Sequence, residues 1–347
     1  MSAERSPITT TIDFEQDGKQ RDYLRVPHSR NSSAWGSVLI PMTVIKNGTG
    51  PTVLFIGGNH GGEYEGPVSL IKLSRELKLE KVQGRVMIIP ALNLPAVVAG
   101  QRVSPLDGND MNRVFPGAWN GTITQVIAHY VHEALLPLCD AVIDLHAGGY
   151  SLSLVPFMSM HYLENQTQSQ QTFAAMQAFQ APVSLVTEEI SGEGLLDYAV
   201  ERMGKIFLCA ELGSAGTLSP QVIKITDVGV RNLLVHFGII EGEVVTRESQ
   251  GLSPSRLMEV PEPENYHMAL ADGIYESFYE LGAWVEAGDP LGQIHFIENI
   301  AREPQLIIAQ RSGMLLCTRG PGFVEIGDCV AVVARDLDSP ANERSQK

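Results

Sequence analysis

Short runs that are apolar almost end to end, separated by segments of helical spacing, set the limits on what this chain can fold into. Residues 37–45 (SVLIPMTVI) and 52–57 (TVLFIG) read as strands, as do GRVMIIPAL from Gly84, CDAVIDLH from Cys139, PVSLV from Pro182 and KIFLCAEL from Lys205. Between them, GPVSLIKLSRELK, TQVIAHYVHEALLPL, TFAAMQAF, LLDYAVERMG and ITDVGVRNLLVHFGII carry apolar side chains at helical spacing. A strand without a polar face needs cover on both sides, and alternating helices provide it. The expected architecture is therefore α/β, with many parallel strands in a sheet covered by helices. In such sheets, sites collect in the loops beyond the carboxyl ends of strands. His60, Glu63, His146 and Glu211 all fall at or just past such ends.

At 347 residues the chain exceeds the usual size of one core, so two domains are expected. The alternation stops at residues 248–266 (ESQGLSPSRLMEVPEPENY), which read as a linker between a catalytic domain at 1–247 and a smaller all-β domain at 267–340. Within the latter, VEAGDPLG and VEIGDCVA look like two halves of one small β unit. They resemble the sandwich of biotinyl and lipoyl carriers but lack the carrier lysine, so a structural or site-covering role is expected.

Forty Asp and Glu against 25 Lys and Arg give a formal net charge of −15, a field that disfavours nucleic acid and anionic membranes as partners. No apolar run approaches the roughly 20 residues of a membrane helix. The N-terminal MSAERSPITTTIDFEQDGKQ lacks a basic start followed by an apolar core, so no secretory signal and a cytoplasmic location are expected. Cys139, Cys209, Cys317 and Cys329 fit no metal or redox spacing and read as buried, reduced thiols.

In GGNHGGEYEG, His60 and Glu63 stand three apart on glycine-rich backbone at a strand end. A structural turn carries such residues too, and so does a metal site. His146, ending VIDLH, supplies a third donor. Two histidines and one glutamate are the ligand count of a catalytic zinc site, one ion per chain. Asp144 points to the same side of its strand as His146, where it either accepts a proton from a ligating imidazole or is simply a solvated aspartate. Glu211, behind KIFLCA, is a candidate general base or a strand-end cap. The aperiodic stretch QRVSPLDGNDMNRVFPG offers Asn112 and Arg113 to a substrate carboxylate and Arg102 to a developing oxyanion, although any one arginine also serves as a surface ion pair. His129 and His132 match no zinc-helix spacing.

Taken in order, GGNHGGEYEG, DMNRVFPG, DLHAGG and AELGSAGT resemble the succinylglutamate desuccinylase/aspartoacylase family, a branch of the zinc carboxypeptidase fold, and the likeness runs over nearly the whole chain. The resemblance implies a zinc-carboxypeptidase-like mixed sheet. It implies zinc on His60, Glu63 and His146, Glu211 as the catalytic acid and base, Asn112 and Arg113 on the substrate carboxylate, and Arg102 at the oxyanion. Gly62 departs from the branch of the family that the chain resembles most, where an acidic residue is expected between the two ligands. The expected activity is removal of an acetyl group from a small N-acetyl amino acid, with N-alpha-acetyl-L-2,4-diaminobutyrate the leading substrate. Glu188, Glu189 and Asp197 are acids near enough in sequence to meet its second amine. The alternatives are a desuccinylase- or aspartoacylase-type hydrolase and an inactive small-molecule-binding relative. A homodimer is compatible with all of these readings.

Overall fold

A computed structural model of the protein describes residues 6–188, 192–213 and 216–338. In chain order its main elements are β1 (Gly18–Pro27), β2 (Ser37–Asn47), β3 (Thr52–Gly57), α1 (Glu65–Glu76), β4 (Gly84–Ile89), α2 (Leu94–Ala99), α3 (Ile123–Tyr130), β5 (Ala141–His146), β6 (Leu152–Leu154) and β7 (Phe157–His161). There follow α4 (Gln166–Phe179), β8 (Val183–Thr187), α5 (Leu196–Glu201), β9 (Ile206–Glu211), α6 (Pro220–His236) and β10 (Arg256–Val260). The last part is all β: β11 (Tyr266–Met268), β12 (Gly273–Ser277), β13 (Trp284–Val285), β14 (Pro290–His295), β15 (Gln305–Ile308), β16 (Gly313–Arg319), β17 (Phe323–Val324) and β18 (Cys329–Asp336).

The central strands run in the order β1-β2-β4-β3-β5-β9-β7-β8-β10. Pairing is parallel from β4 through β3, β5 and β9, antiparallel between β9 and β7, and parallel again through β8 and β10. Strands β3, β4 and β5 are buried at every residue because both faces are covered. Val53 and Phe55 pack with Leu70 of α1, Phe179 of α4 and Leu233 of α6. Leu54 and Ile56 point the other way, to Val126 and Ile127 of α3 and Val200 of α5. The near-continuous apolar strands of the sequence thus find cover on both sides, as expected.

Several elements lay outside the sequence expectation. β1 is an edge strand whose GKQRDYLRVP opens, after Gly18, with four polar residues in a row, which protects the edge but hides the strand. β6 and β7 are short and divided by Pro156. The helix expected from TQVIAHYVHEALLPL is α-helical only to Tyr130; the chain then coils through one wide turn, Val131–Leu135, and one tight turn, Leu136–Leu138.

The segment expected as a linker, 248–266, contains β10, which pairs with β8 on one side and β18 on the other. Met258 and Val260 of β10 are buried, a strand pattern masked in sequence by the flanking prolines. One sheet therefore continues through β10 into β18, β16 and β13. A second sheet, β15-β14-β12-β17, packs on β16 and β18 through Tyr275, Leu291, Ile294, Leu315 and Val333. The opposite faces of β16 and β18 pack Leu316 and Val332 against Phe157, Leu185 and Met258. The repeated VE-x-GD segments form matching turns: the Asp289 carboxylate accepts from Glu286 N–H, and that of Asp328 from Glu325 N–H. Among the described residues no helix is long and apolar enough to cross a membrane, and all four cysteines are free.

At the β10–β18 junction Glu259, only 2 % exposed, accepts from Arg335 Nε at 2.6 Å and from the Tyr162 hydroxyl at 2.7 Å. Removing one partner strands a buried charge. Arg335→Met is expected to destabilise the protein by about 2 kcal/mol in urea unfolding, below the ~3–5 kcal/mol of a fully buried pair because the guanidinium reaches solvent. An unchanged denaturation midpoint would contradict this role for the pair.

Candidate metal centre

His60 and Glu63 lie in the loop between β3 and α1, and His146 is the last residue of β5. β3 and β5 are parallel neighbours, so both deliver their carboxyl ends to the same edge of the sheet. The loop is held close: Gly61 N–H donates to Gln101 O at 2.9 Å, and a Cβ at Gly61 would lie 2.0 Å from Ala96 O, so only glycine fits. At Gly62 φ is +83°, the left-handed region glycine enters without strain. The departure from the family pattern at this position therefore suits the turn.

His60, Glu63 and His146 are each no more than 4 % exposed, and each offers one ligand atom within 4.8 Å of the others. Glu63 Oε1 is 2.9 Å from His60 Nδ1, and its Oε2 is 3.0 Å from His146 Nδ1. The outer nitrogens meet carboxylates too: His60 Nε2 lies 3.1 Å from Asp110 Oδ1, and His146 Nε2 lies 2.8 Å from Asp144 Oδ2. Asn59 Nδ2 donates to that same Asp144 oxygen at 2.9 Å. A neutral imidazole carries one proton, and an outer carboxylate holds it on Nε2. That leaves two Nδ1 lone pairs and the Glu63 carboxylate converging on one point. Three such donors require a proton or a cation between them, and their type and count suit a divalent metal.

The electrostatics follow from the same geometry. Burial alone would raise the Glu63 carboxyl, but the His146 and His60 imidazoles outweigh it and hold it down at about 2. Burial would lower His146, yet Asp144 and Glu63 raise it well above the usual imidazole range. Glu211 pairs in register with His146 on the neighbouring strand, and Leu212 N–H donates to His146 O at 2.9 Å. Burial pushes Glu211 up to about 8, with Glu63 and Asp144 adding to the rise against the pull of His146 and Arg102. An acid in that range both takes and gives protons near neutrality.

The loop after α2 reaches the centre through Asp110, which the sequence reading passed over. Asp110 touches His60, accepts from Asn112 N–H at 2.9 Å, and accepts from Arg102 Nε at 2.9 Å. Its signal was its place two residues before Asn112, an Asx turn that fixes the Asn112–Arg113 pair. Asn112 Oδ1 accepts from Leu196 N–H at 2.9 Å, which leaves its amide donors to face outward. Arg113 is exposed and folds back to donate to Asn112 O at 2.7 Å. Arg102 is half-exposed, with its charge within range of Glu211. His132 pairs instead with Glu133, on the turn beyond α3.

If Asp144 fixes the His146 tautomer, Asp144→Asn, which can present a donor in its place, should lower metal affinity about 10–100-fold. Competition against a chromophoric chelator measures it, and wild-type affinity in the variant would remove Asp144 from this role.

Known proteins resemble this chain over nearly its whole length. Residues 49–237 match the succinylglutamate desuccinylase/aspartoacylase catalytic domain. N-alpha-acetyl-L-2,4-diaminobutyric acid deacetylase of Halomonas elongata is 42% identical over 334 residues, 96% of each chain. Among solved structures, the product-bound ectoine utilization protein EutE (DoeB) of Ruegeria pomeroyi superposes with a TM-score of 0.91 at 43% identity, over 96% of this chain and 100% of that one. A succinylglutamate desuccinylase from a Silicibacter species gives 0.91 at 42% identity over the same shares. Since the family domain spans more than half of the chain and these relatives nearly all of it, the chain belongs to the succinylglutamate desuccinylase/aspartoacylase family of amide hydrolases.

Proposed function

We propose that the chain is a zinc-dependent deacetylase of a small N-acetyl amino acid, converting N-alpha-acetyl-L-2,4-diaminobutyrate to L-2,4-diaminobutyrate and acetate during the breakdown of ectoine. The observation that carries the reading is the placement of Glu211, an acid raised to about 8, in register with a ligand of the three-donor cluster. The named relatives support the substrate, since one is a deacetylase of this compound and another an ectoine utilization protein.

His60, Glu63 and His146 would hold the ion, three protein ligands being the number used by catalytic rather than structural zinc sites. Bound there, zinc supplies a Lewis acid that polarises the acyl carbonyl and makes water acidic enough to attack near neutral pH. Glu211 takes the proton of the attacking water and passes it to the leaving amine, so one carboxyl serves as base and then as acid. Glu63 lies between two imidazoles and is committed to the cluster. The Asn112 amide and the Arg113 guanidinium receive the α-carboxylate, and Arg102, fixed through Asp110, faces the oxyanion. A small-molecule substrate and a cytoplasmic setting complete the reading, with no role for nucleic acid or membrane.

Two outcomes follow. Glu211→Gln keeps the shape and removes the proton carrier, so turnover should fall by about 10²–10⁴-fold while metal content and melting temperature stay as in wild type; a variant with most of its activity would place the base elsewhere, Glu65 at the start of α1 being the next candidate. For Arg113, wild type should strongly prefer N-acetyl-diaminobutyrate to its α-carboxamide, and Arg113→Lys, which loses the guanidinium fork, should give up most of that preference, a loss of about 2–5 kcal/mol. Equal hydrolysis of acid and amide by wild type would mean that the carboxylate is not read.

A further inference from the structure

The carboxylate behind His146 has an uneven set of partners. Asp144 is fully buried on β5, and its Oδ2 meets both His146 Nε2 at 2.8 Å and Asn59 Nδ2 at 2.9 Å, while its Oδ1 is buried with no partner. Asn59 is just as deep, at 1 % exposed, and its own Oδ1 is buried without a donor. Among the described residues, the bond to Asp144 is the one hydrogen bond of the Asn59 side chain. Chemistry fixes which way the amide points, since turning it over would set its oxygen against a carboxylate oxygen. A buried amide oxygen left unsatisfied costs about as much as one hydrogen bond returns, so this contact adds little to the fold by itself. Of the acids singled out in sequence for the substrate amine, Glu188 is exposed, Asp197 Oδ2 lies 4.0 Å from His161 Nε2, and Glu189 falls outside the described residues.

Asn59 reaches Asp144 because the backbone doubles back. On the β3–β5 ladder the partner of Asp144 is Ile56, three residues before Asn59. Continued as a strand, the chain would carry residue 59 about 10 Å past that rung. Instead β3 ends at Gly57, and Gly58 turns the chain at φ +63°. A Cβ at Gly58 would lie 2.7 Å from Val97 Cγ2 and 3.0 Å from Ala91 Cα, so a side chain there would crowd α2 and its approach. Leu92 N–H donates to Gly57 O and Asn93 N–H to Gly58 O, both at 2.9 Å, which pins the turn to the residues after β4. The residue after Asn59 is His60. Asn59 therefore joins the two halves of the cluster from behind, next in chain to one imidazole and bonded to the carboxylate that holds the other.

We propose that Asn59 is a positioning residue of the metal centre: its amide holds Asp144 with Oδ2 toward His146 Nε2, and so keeps the His146 Nδ1 lone pair aimed at the cation. The inference rests on the reading of His60, Glu63 and His146 as holders of a divalent ion. An aspartate side chain turns about two torsions, and one bond to an imidazole that can itself rotate does not fix both. A second bond, from a loop pinned at Gly57 and Gly58, does. The ring orientation is then set by the backbone rather than by the ion, and a donor already in place binds with less to lose.

The test measures zinc affinity of metal-free wild type, Asn59→Leu, Asp144→Ala and the double variant, by competition with a chromophoric chelator, and records the melting temperature of each metal-free protein. Leucine has the outline of asparagine without its donors. Asn59→Leu should weaken zinc binding about 10-fold in the wild-type background but by less than about 2-fold on Asp144→Ala, where the group it acts through is gone. A 10-fold loss that persists on Asp144→Ala overturns the inference, because Asn59 then acts by another route. Unchanged affinity in Asn59→Leu overturns it too, whatever happens to the melting temperature, and marks a purely structural residue. A wild type that binds no zinc overturns this inference and the metal reading together. If Asn59→Leu does not fold, Asn59→Ala takes its place in the same cycle.

Discussion

A carboxylate buried between two imidazoles is the constraint around which the rest of this molecule is arranged. Glu63 arrives from the loop after β3 and His146 from the end of β5, and neither could be buried without the other. The carboxylates behind the imidazoles, Asp110 and Asp144, deepen the local excess of negative charge, which Arg102 offsets at Asp110. The site is therefore an electrostatic trap for a cation, set at a sheet edge that fully apolar strands hold rigid. The acidity of the whole chain matters less than the order of these few groups, since four acids and two histidines are fixed on strand ends and the loops beside them.

The C-terminal β region belongs to this arrangement. β16 and β18 are buried on both faces, one against the second sheet and the other against Phe157, Leu185 and Met258 of the catalytic sheet. β16 also pairs with β6, directly after the glycines that follow His146, and Gly320 N–H donates to Ser151 O at 2.8 Å. The loop leaving His146 is thus fastened from outside the αβ part of the chain.

Much of this was legible in the amino acids. TVLFIG, AVIDLH and IFLCAE announced themselves because burial on both faces demands apolar side chains at every position, and the polar residues at their ends stood out against that background. GKQRDYLRVP was hidden because an edge strand needs charge on its open side. RLMEV was hidden because its one polar residue, Glu259, is buried by ion pairing with an arginine 76 residues away, a contact no local pattern reveals. In the site, His60, Glu63, His146 and Glu211 stood out by lying at or just past strand ends, and Asp144 by sharing a side of its strand with His146. Asp110 did not, since its role comes from a loop that folds back across the sheet edge.

The parallel and antiparallel neighbours of β10 have a consequence for how the chain is made. β18 is translated after every other strand of the sheet, yet it covers the β10 edge and braces β16 on the loop behind His146. During synthesis the strands beside the His–Glu–His cluster emerge early and wait, with an uncovered edge, for residues some 190 positions downstream of His146. A nascent chain stalled before Cys329 would carry His60, Glu63 and His146 and still lack the strand that covers β10 and pairs with β16, so the sheet behind the cluster is completed late.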